Sequence, residues 1–194
     1  MESSITKEEL ASMKSKTAMP MMWIGLVSFI MMWAGITSAY VIRQAQGDWL
    51  FFDIPATFFW STAVIIASSL TFVLAQVFSK RGQNALTIVM LVSTFVMGIV
   101  FSMLQYQGFL ELFAQGIYFT GSESNASGQY FNLIVWVHVA HVLGGLLSLL
   151  FVIIKAILGK YTPSDNLGIK LSATYWHFIG ILWIYLILFL VFIR

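Results

Sequence analysis

The sequence predicts an all-α protein whose five helices each cross a lipid bilayer, and three observations carry that reading. Hydrophobic residues make up 59% of the 194 and charged residues only 9%, against about 25% in soluble domains. Five stretches lack charge for long enough to cross about 30 Å of hydrocarbon. Lysine and arginine gather in alternate connections between those stretches, as the positive-inside rule describes. A surface so poor in charge requires lipid over most of its exterior.

The spans are expected at Pro20–Ile42, Ile54–Phe78, Asn84–Leu110, Phe131–Ile154 and Leu171–Ile193. Residues 1–19 mix Glu2, Glu8 and Glu9 with Lys7, Lys14 and Lys16 and read as a short amphipathic tail. The apolar run after them, about 22 residues, exceeds a signal-peptide core of roughly 7–15, so it reads as a retained span. Residues 20–194 then form a single transmembrane domain. Pro20 and Pro55 stand at the starts of spans one and two, where proline costs little. The third break holds Gly116, Gly121, Ser122, Ser124, Asn125, Ser127 and Gly128, and the fourth runs from Lys160 through Pro163 to Asn166; both are loop compositions. Trp23, Trp49, Trp60 and Trp136 fall near span ends, as an aromatic belt requires. Small residues recur at one-turn spacing, at Ala34, Gly35, Ser38 and Ala39, at Ala67 and Ser68, at Gly98 and Ser102, and at Gly144, Gly145 and Ser148. Such side chains let helix backbones approach in lipid.

Charge and composition narrow the function. The net charge of +2 forms no basic stripe, which argues against a nucleic-acid partner. The absence of cysteine removes disulfides, thiolate metal sites, Fe–S clusters and cysteine catalysis. No Asp, Glu, Lys or Arg falls inside the five expected spans, and Glu111 stands at the outer end of span three. A pump or ion-coupled transporter usually carries a titratable carboxylate at mid-depth, so that class is disfavoured.

The ionisable groups left at depth are His138 and His141, three apart on one face of span four, and His177 on span five. Counted at about 1.5 Å per residue, the depths of His141 and His177 nearly meet. Three readings stand open: haem or copper ligation, proton or quinol chemistry, and neutral buried imidazoles hydrogen-bonded across helices. Two ligands at this spacing cannot flank one haem, and no cysteine completes a copper site. For hydrogen bonding, the partners on offer are Gln105, Thr62, Ser68, Ser69, Thr71 and Tyr175.

Several of these residues sit in patterns that resemble subunit III of the haem–copper terminal oxidases, in a short five-helix form. Tyr175-Trp176-His177-Phe178, with Trp183 six residues after His177, resembles the family's final helix. His138-x-x-His141-Val142 with Gly144-Gly145 behind it is similar to the penultimate one. Thr94, Gly98, Phe101 and Gln105 in span three match the family's spacing; so do Thr62 and Ser68-Ser69-x-Thr71 in span two, and Ala34-Gly35, Ser38-Ala39-Tyr40 and Arg43 in span one. The resemblance covers roughly residues 20–194. Three positions depart from it: Phe29, Gly108 and Gly180 stand where the family often carries carboxylates. Two N-terminal helices of the longer members, which wall a lipid-filled cleft there, have no counterpart.

The resemblance implies a subunit without redox cofactors of its own, with haem and copper held by partner subunits I and II, in a bacterial plasma membrane. Phospholipid is expected to bind, with Arg43, Lys80 and Arg81 as headgroup contacts, and a larger respiratory supercomplex is a further expected partner. Gln105, His138, His141, Trp176 and His177 are expected to form a structural polar network. The equivalent subunit of a quinol oxidase or nitric-oxide reductase, a free-standing haem- or quinone-binding protein and a small transporter are the competing functions. Of the ten basic residues, Lys7, Lys14, Lys16, Lys80, Arg81, Lys155, Lys160 and Lys170 fall on one side, against Arg43 and Arg194 on the other. That predicts an N-terminus in the cytoplasm and a C-terminus outside. Reporter fusions after Arg81 and after Gly121 should report opposite sides of the membrane; the same side for both would contradict five spans.

Overall fold

The computed structural model describes residues 7–47, 49–119, 121, 124–162 and 165–193. Glu2 and Arg194 of the charge pattern, Ser122 of the third break and Pro163 and Ser164 of the fourth lie outside these. Five helices follow in order: α1 Lys7–Gln44, α2 Ala56–Lys80, α3 Asn84–Ala114, α4 Ala126–Ile157 and α5 Leu167–Phe192. Each is long and apolar enough to cross a membrane. No strand occurs among the described residues.

The helices exceed the uncharged stretches by up to a few turns, because a helix continues past the hydrocarbon until a cap stops it. Glu111, Lys155 and Lys170 therefore lie on helices and not in loops. The largest difference is at α1. Pro20 was expected to open the first span, yet it lies inside a 38-residue helix. Its missing N–H removes one rung, and the carbonyl that loses its partner belongs to exposed Lys16, within reach of water. Residues 7–19, expected as a tail, continue the helix.

Two stops show how the ends are made. After α2, Gly82 has φ 72°, the Gly82 amide donates to Ser79 and the Gln83 amide to Phe78. After α4, Gly159 has φ 64°, and the amides of Gly159 and Lys160 donate to Ala156 and Lys155. Both are Schellman caps, which need a left-handed residue that glycine adopts without a Cβ clash. At the start of α4 the Asn125 side chain accepts from the Gly128 amide, as N-caps do.

Helices α2 to α5 close into a ring in which each packs on its neighbours, α2 against α3 and α5, and α4 against α3 and α5. Helix α1 lies outside that ring on the α4–α5 side. Leu26, Trp33 and Tyr40 are buried on it, while Trp23, Ile24, Met31 and Ile42 are exposed. Trp23, Trp60 and Trp136 point outward as belt residues do, whereas Trp49 packs edge-on against Tyr40 with ring centroids 4.7 Å apart.

The small residues divide into two kinds. A Cβ on Gly98 of α3 would lie 2.6 Å from the Trp176 ring and 2.7 Å from Leu146, and one on Gly145 of α4 would meet Ile179 at 3.0 Å and Trp176 at 3.2 Å. These two glycines make the slot that the Trp176 indole fills. Gly35 on α1, by contrast, has nothing within 4 Å, so it makes no close helix contact within this bundle. Gly180 meets Ser69 Oγ at 3.4 Å, which leaves room for a methyl group. Gly98→Ala should therefore destabilise the chain by about 1–3 kcal/mol through overpacking. Gly180→Ala should be neutral or stabilise by about 0.4–1 kcal/mol through the unfolded state. Reversible denaturation of the two variants in detergent checks the difference; equal effects would contradict the assigned slot.

Candidate functional site

A buried indole N–H or amide in hydrocarbon must find an acceptor inside the protein. Helix α2 supplies acceptors through hydroxyl side chains, each of which passes its own proton to a carbonyl one turn back. Ser61 and Thr62 Oγ donate to the Phe58 carbonyl at 2.7 and 2.9 Å, and Ser68 Oγ donates to Ile65 at 2.7 Å. Back-bonding of this kind houses the hydroxyl proton and leaves lone pairs for a neighbour.

Neighbouring helices use those lone pairs. Trp176 Nε1 donates to Ser68 Oγ at 3.0 Å and Trp183 Nε1 to Thr62 Oγ1 at 2.9 Å. Trp176 and Trp183 are seven residues apart, so they share one face of α5. Gln105 Nε2 of α3 donates to Ser61 Oγ at 2.8 Å. Thr71 of α2 and Thr94 of α3 are 2.8 Å apart. Ser61, Ser68, Thr94, Trp176, Trp183 and His138 have no measurable exposure. Ser61 is a member that the sequence reading missed; its signal was its place one helical face with Ser68, seven residues on.

The network expected among Gln105, His138, His141, Trp176 and His177 is therefore not one network. Gln105 and Trp176 each bond to α2, at separate hydroxyls. Among the described residues, none of the three imidazoles is placed in a hydrogen bond to another helix. His141 Nδ1 lies 2.6 Å from the Val137 carbonyl on its own helix, so that nitrogen carries the proton. Neither ring nitrogen of His138 has a hydrogen-bond partner among the described residues, and nor does His177 Nε2. Of the α2 hydroxyls expected as their partners, Ser68 and Thr62 accept from tryptophans and Thr71 pairs with Thr94.

Aromatic rings surround the imidazoles instead. His138 stacks on Trp183 at 5.0 Å and meets Phe101 edge-to-face at 6.0 Å. His141 meets Phe29 edge-to-face at 4.6 Å. Trp33 stands 6.3 Å from each of His138 and His141. His177 is elsewhere, 6.1 Å from Phe72 of α2, so the matching depths bring no contact between it and the α4 pair. Among the described residues no three histidine, aspartate or glutamate side chains converge as a metal site would require.

The three departures from the family pattern also acquire a place. Phe29 fills the position beside His141. Gly108 lies under the Phe58 ring, 2.7 Å from where its Cβ would be, so no acid fits there. Gly180 faces Ser69 and keeps open space.

A second feature lies at the end that carries Lys80 and Arg81. Helices α1, α4 and α5 diverge there around a groove of about 610 Å³. Met22, Leu147, Phe151 and Leu171 make its walls, Ser148 and Ser172 are paired at 3.2 Å on its floor, and Lys155 stands on its rim. Beside it, the Tyr161 hydroxyl seats against Gly168; burial, and after it the charge of Asp165, push its pKa above the usual tyrosine value. Lys80 and Arg81 are exposed at the α2 C-terminus, and Arg43 is half-buried in the last turn of α1. None of these three lines the groove. Lys155 does, and its signal was a lone basic residue ending an apolar stretch.

Comparison with known proteins places this geometry. Residues 51–193 match the family model described as Cytochrome c oxidase subunit III. A protein of Mycobacterium bovis named Probable cytochrome c oxidase subunit 3 is 32% identical over 181 residues, covering 88% of this chain and 85% of the relative. One from Pseudomonas aeruginosa, named Cytochrome bo(3) ubiquinol oxidase subunit 3, is 28% identical over 84% of this chain and 78% of its own length. Cytochrome c oxidase subunit 3 of Corynebacterium diphtheriae is 25% identical over the full length of both. With about three quarters of its length matched by the family model and a five-helix membrane bundle to carry the motifs, the chain belongs to the cytochrome c oxidase subunit III family.

Proposed function

We propose that this chain is the accessory, non-redox subunit III of a bacterial respiratory cytochrome c oxidase. It packs beside the haem- and copper-bearing subunits I and II in the plasma membrane, holds phospholipid and sustains proton uptake during turnover. Membership of a respiratory supercomplex extends the same reading. The similarity to a ubiquinol oxidase subunit favours, as the second reading, an equivalent place in a quinol oxidase. The electron donor docks on other subunits, so this chain serves either enzyme in the same way.

One observation carries the proposal. Three pairs of polar side chains in the spans join helices, through Trp176–Ser68, Trp183–Thr62 and Gln105–Ser61. His138 and His141 share Trp33 as an aromatic neighbour, and His177 sits apart against Phe72. Lipid binding draws support from the groove beneath Lys155, where apolar walls suit acyl chains and a cation on the rim suits a phosphate headgroup.

Oxygen consumption over time, with and without this chain at matched haem content, tests the proposal. Removing the chain should leave the haem spectrum intact and the initial rate near normal, with activity falling over successive turnovers. An immediate loss of electron transfer in spectrally intact complex would contradict an accessory role.

A further inference from the structure

Helix α1 lies outside the four-helix ring, and the bonds that hold it there are sparse. The Tyr185 hydroxyl reaches Thr37 Oγ1 at 3.4 Å, the long limit of a hydrogen bond. Phe29 touches His141, and Tyr40 meets Phe189 at 5.2 Å. Between α1 and α5 a slot of about 380 Å³ opens, lined by Ile30, Ala34, Phe178, Ile181 and Tyr185, with Trp33 at its base.

Trp33 is 1% exposed, and its Nε1 is a buried donor without a partner among the described residues. That nitrogen is inaccessible even though the ring borders the slot, so it faces the bundle and not a molecule in the slot. On the bundle side stands His138, fully buried, with both ring nitrogens unpartnered and its ring centroid 6.3 Å from that of Trp33. A neutral imidazole carries one N–H and one lone pair, while an indole carries a donor and no acceptor. The two orphans are chemically complementary.

We propose that Trp33 and His138, unbonded in the structure, close by a side-chain rotation so that the indole N–H donates to the unprotonated nitrogen of His138, and that this bond is the latch that positions α1 against α4. His141 is equally near. If it took the indole proton instead, His138 would keep two unpaired nitrogens in hydrocarbon, each at a cost that an internal bond removes. The latch leaves a single N–H on His138, beside the near-perpendicular Phe101 ring, and an aromatic π face is a weak acceptor. It assigns His138, a motif residue with no role in the α2 hydroxyl bonds, the task of holding the peripheral helix.

The test uses the assembled complex containing this chain. The ultraviolet Raman difference between wild type and Trp33→Phe isolates the Trp33 N–H among the seven tryptophans. The expected band is hydrogen-bonded, and it moves to the free position when the same difference is taken in a His138→Phe background. A free band in the wild type, a bonded band that survives His138→Phe, or one lost only with His141→Phe would each overturn the latch. Solid-state NMR of complex labelled with ¹⁵N-histidine decides without any change at His138. Trp33→Phe should shift the resonance of the unprotonated His138 nitrogen, and an unmoved resonance would overturn the proposal.

Discussion

An indole N–H in the middle of a membrane has no water to bond to, and the position of Trp176 follows from that constraint. Its nitrogen bonds Ser68 of α2, while its ring fills the slot made by Gly98 of α3 and Gly145 of α4. One side chain of α5 thus touches each other helix of the ring. Hydrophobic burial cannot draw helices together in lipid, where tails are as apolar as leucine, so packing and polar bonds must do so. Trp183 repeats the arrangement two turns further along, with Thr62 as acceptor and His138 stacked upon it. The α2 hydroxyls make both bonds available because each is satisfied twice, once by its own helix and once by a neighbour.

The same constraint accounts for the character of the chain as a subunit. Hydroxyls of α2 pair it with α3 and α5, and the imidazoles stand among aromatic rings. Where relatives' patterns call for acids, this chain has Phe29 against His141 and the Phe58 ring over Gly108. Volume that a carboxylate and its hydration would need is filled by rings. A bundle built in this way presents apolar faces outward and keeps its polarity for internal cohesion, which suits a protein that stabilises a neighbour.

Much of this was legible in the sequence because it rests on composition and local pattern. Five helices, their order and the family follow from charge spacing and motifs, and the third and fourth breaks fall where loops were expected, except that Ser127 and Gly128 already belong to α4. Helix ends were legible only to within a few turns, since Pro20 reads as a start in sequence but is tolerated inside α1. The site was legible as a set of residues and not as a set of bonds. Partner choice depends on helix rotation and on which donor reaches a hydroxyl first, and neither is written in spacing. Hence Ser68 and Thr62 bond tryptophans where histidines were expected, and Ser61 and Lys155 acquire roles that no motif announces.

The central claim is that indole–hydroxyl bonds to α2, and not the histidines, hold the ring together. The most direct measurement is the thermal release of this chain from the purified complex in Trp176→Phe, Ser68→Ala and the double variant, with His177→Phe as comparison. The account predicts that each single change at the pair lowers the release temperature and that the double change adds little, a coupling of about 0.6 and at most about 1.7 kcal/mol. Independent, additive effects at Trp176 and Ser68, or release driven by His177→Phe alone, would contradict it.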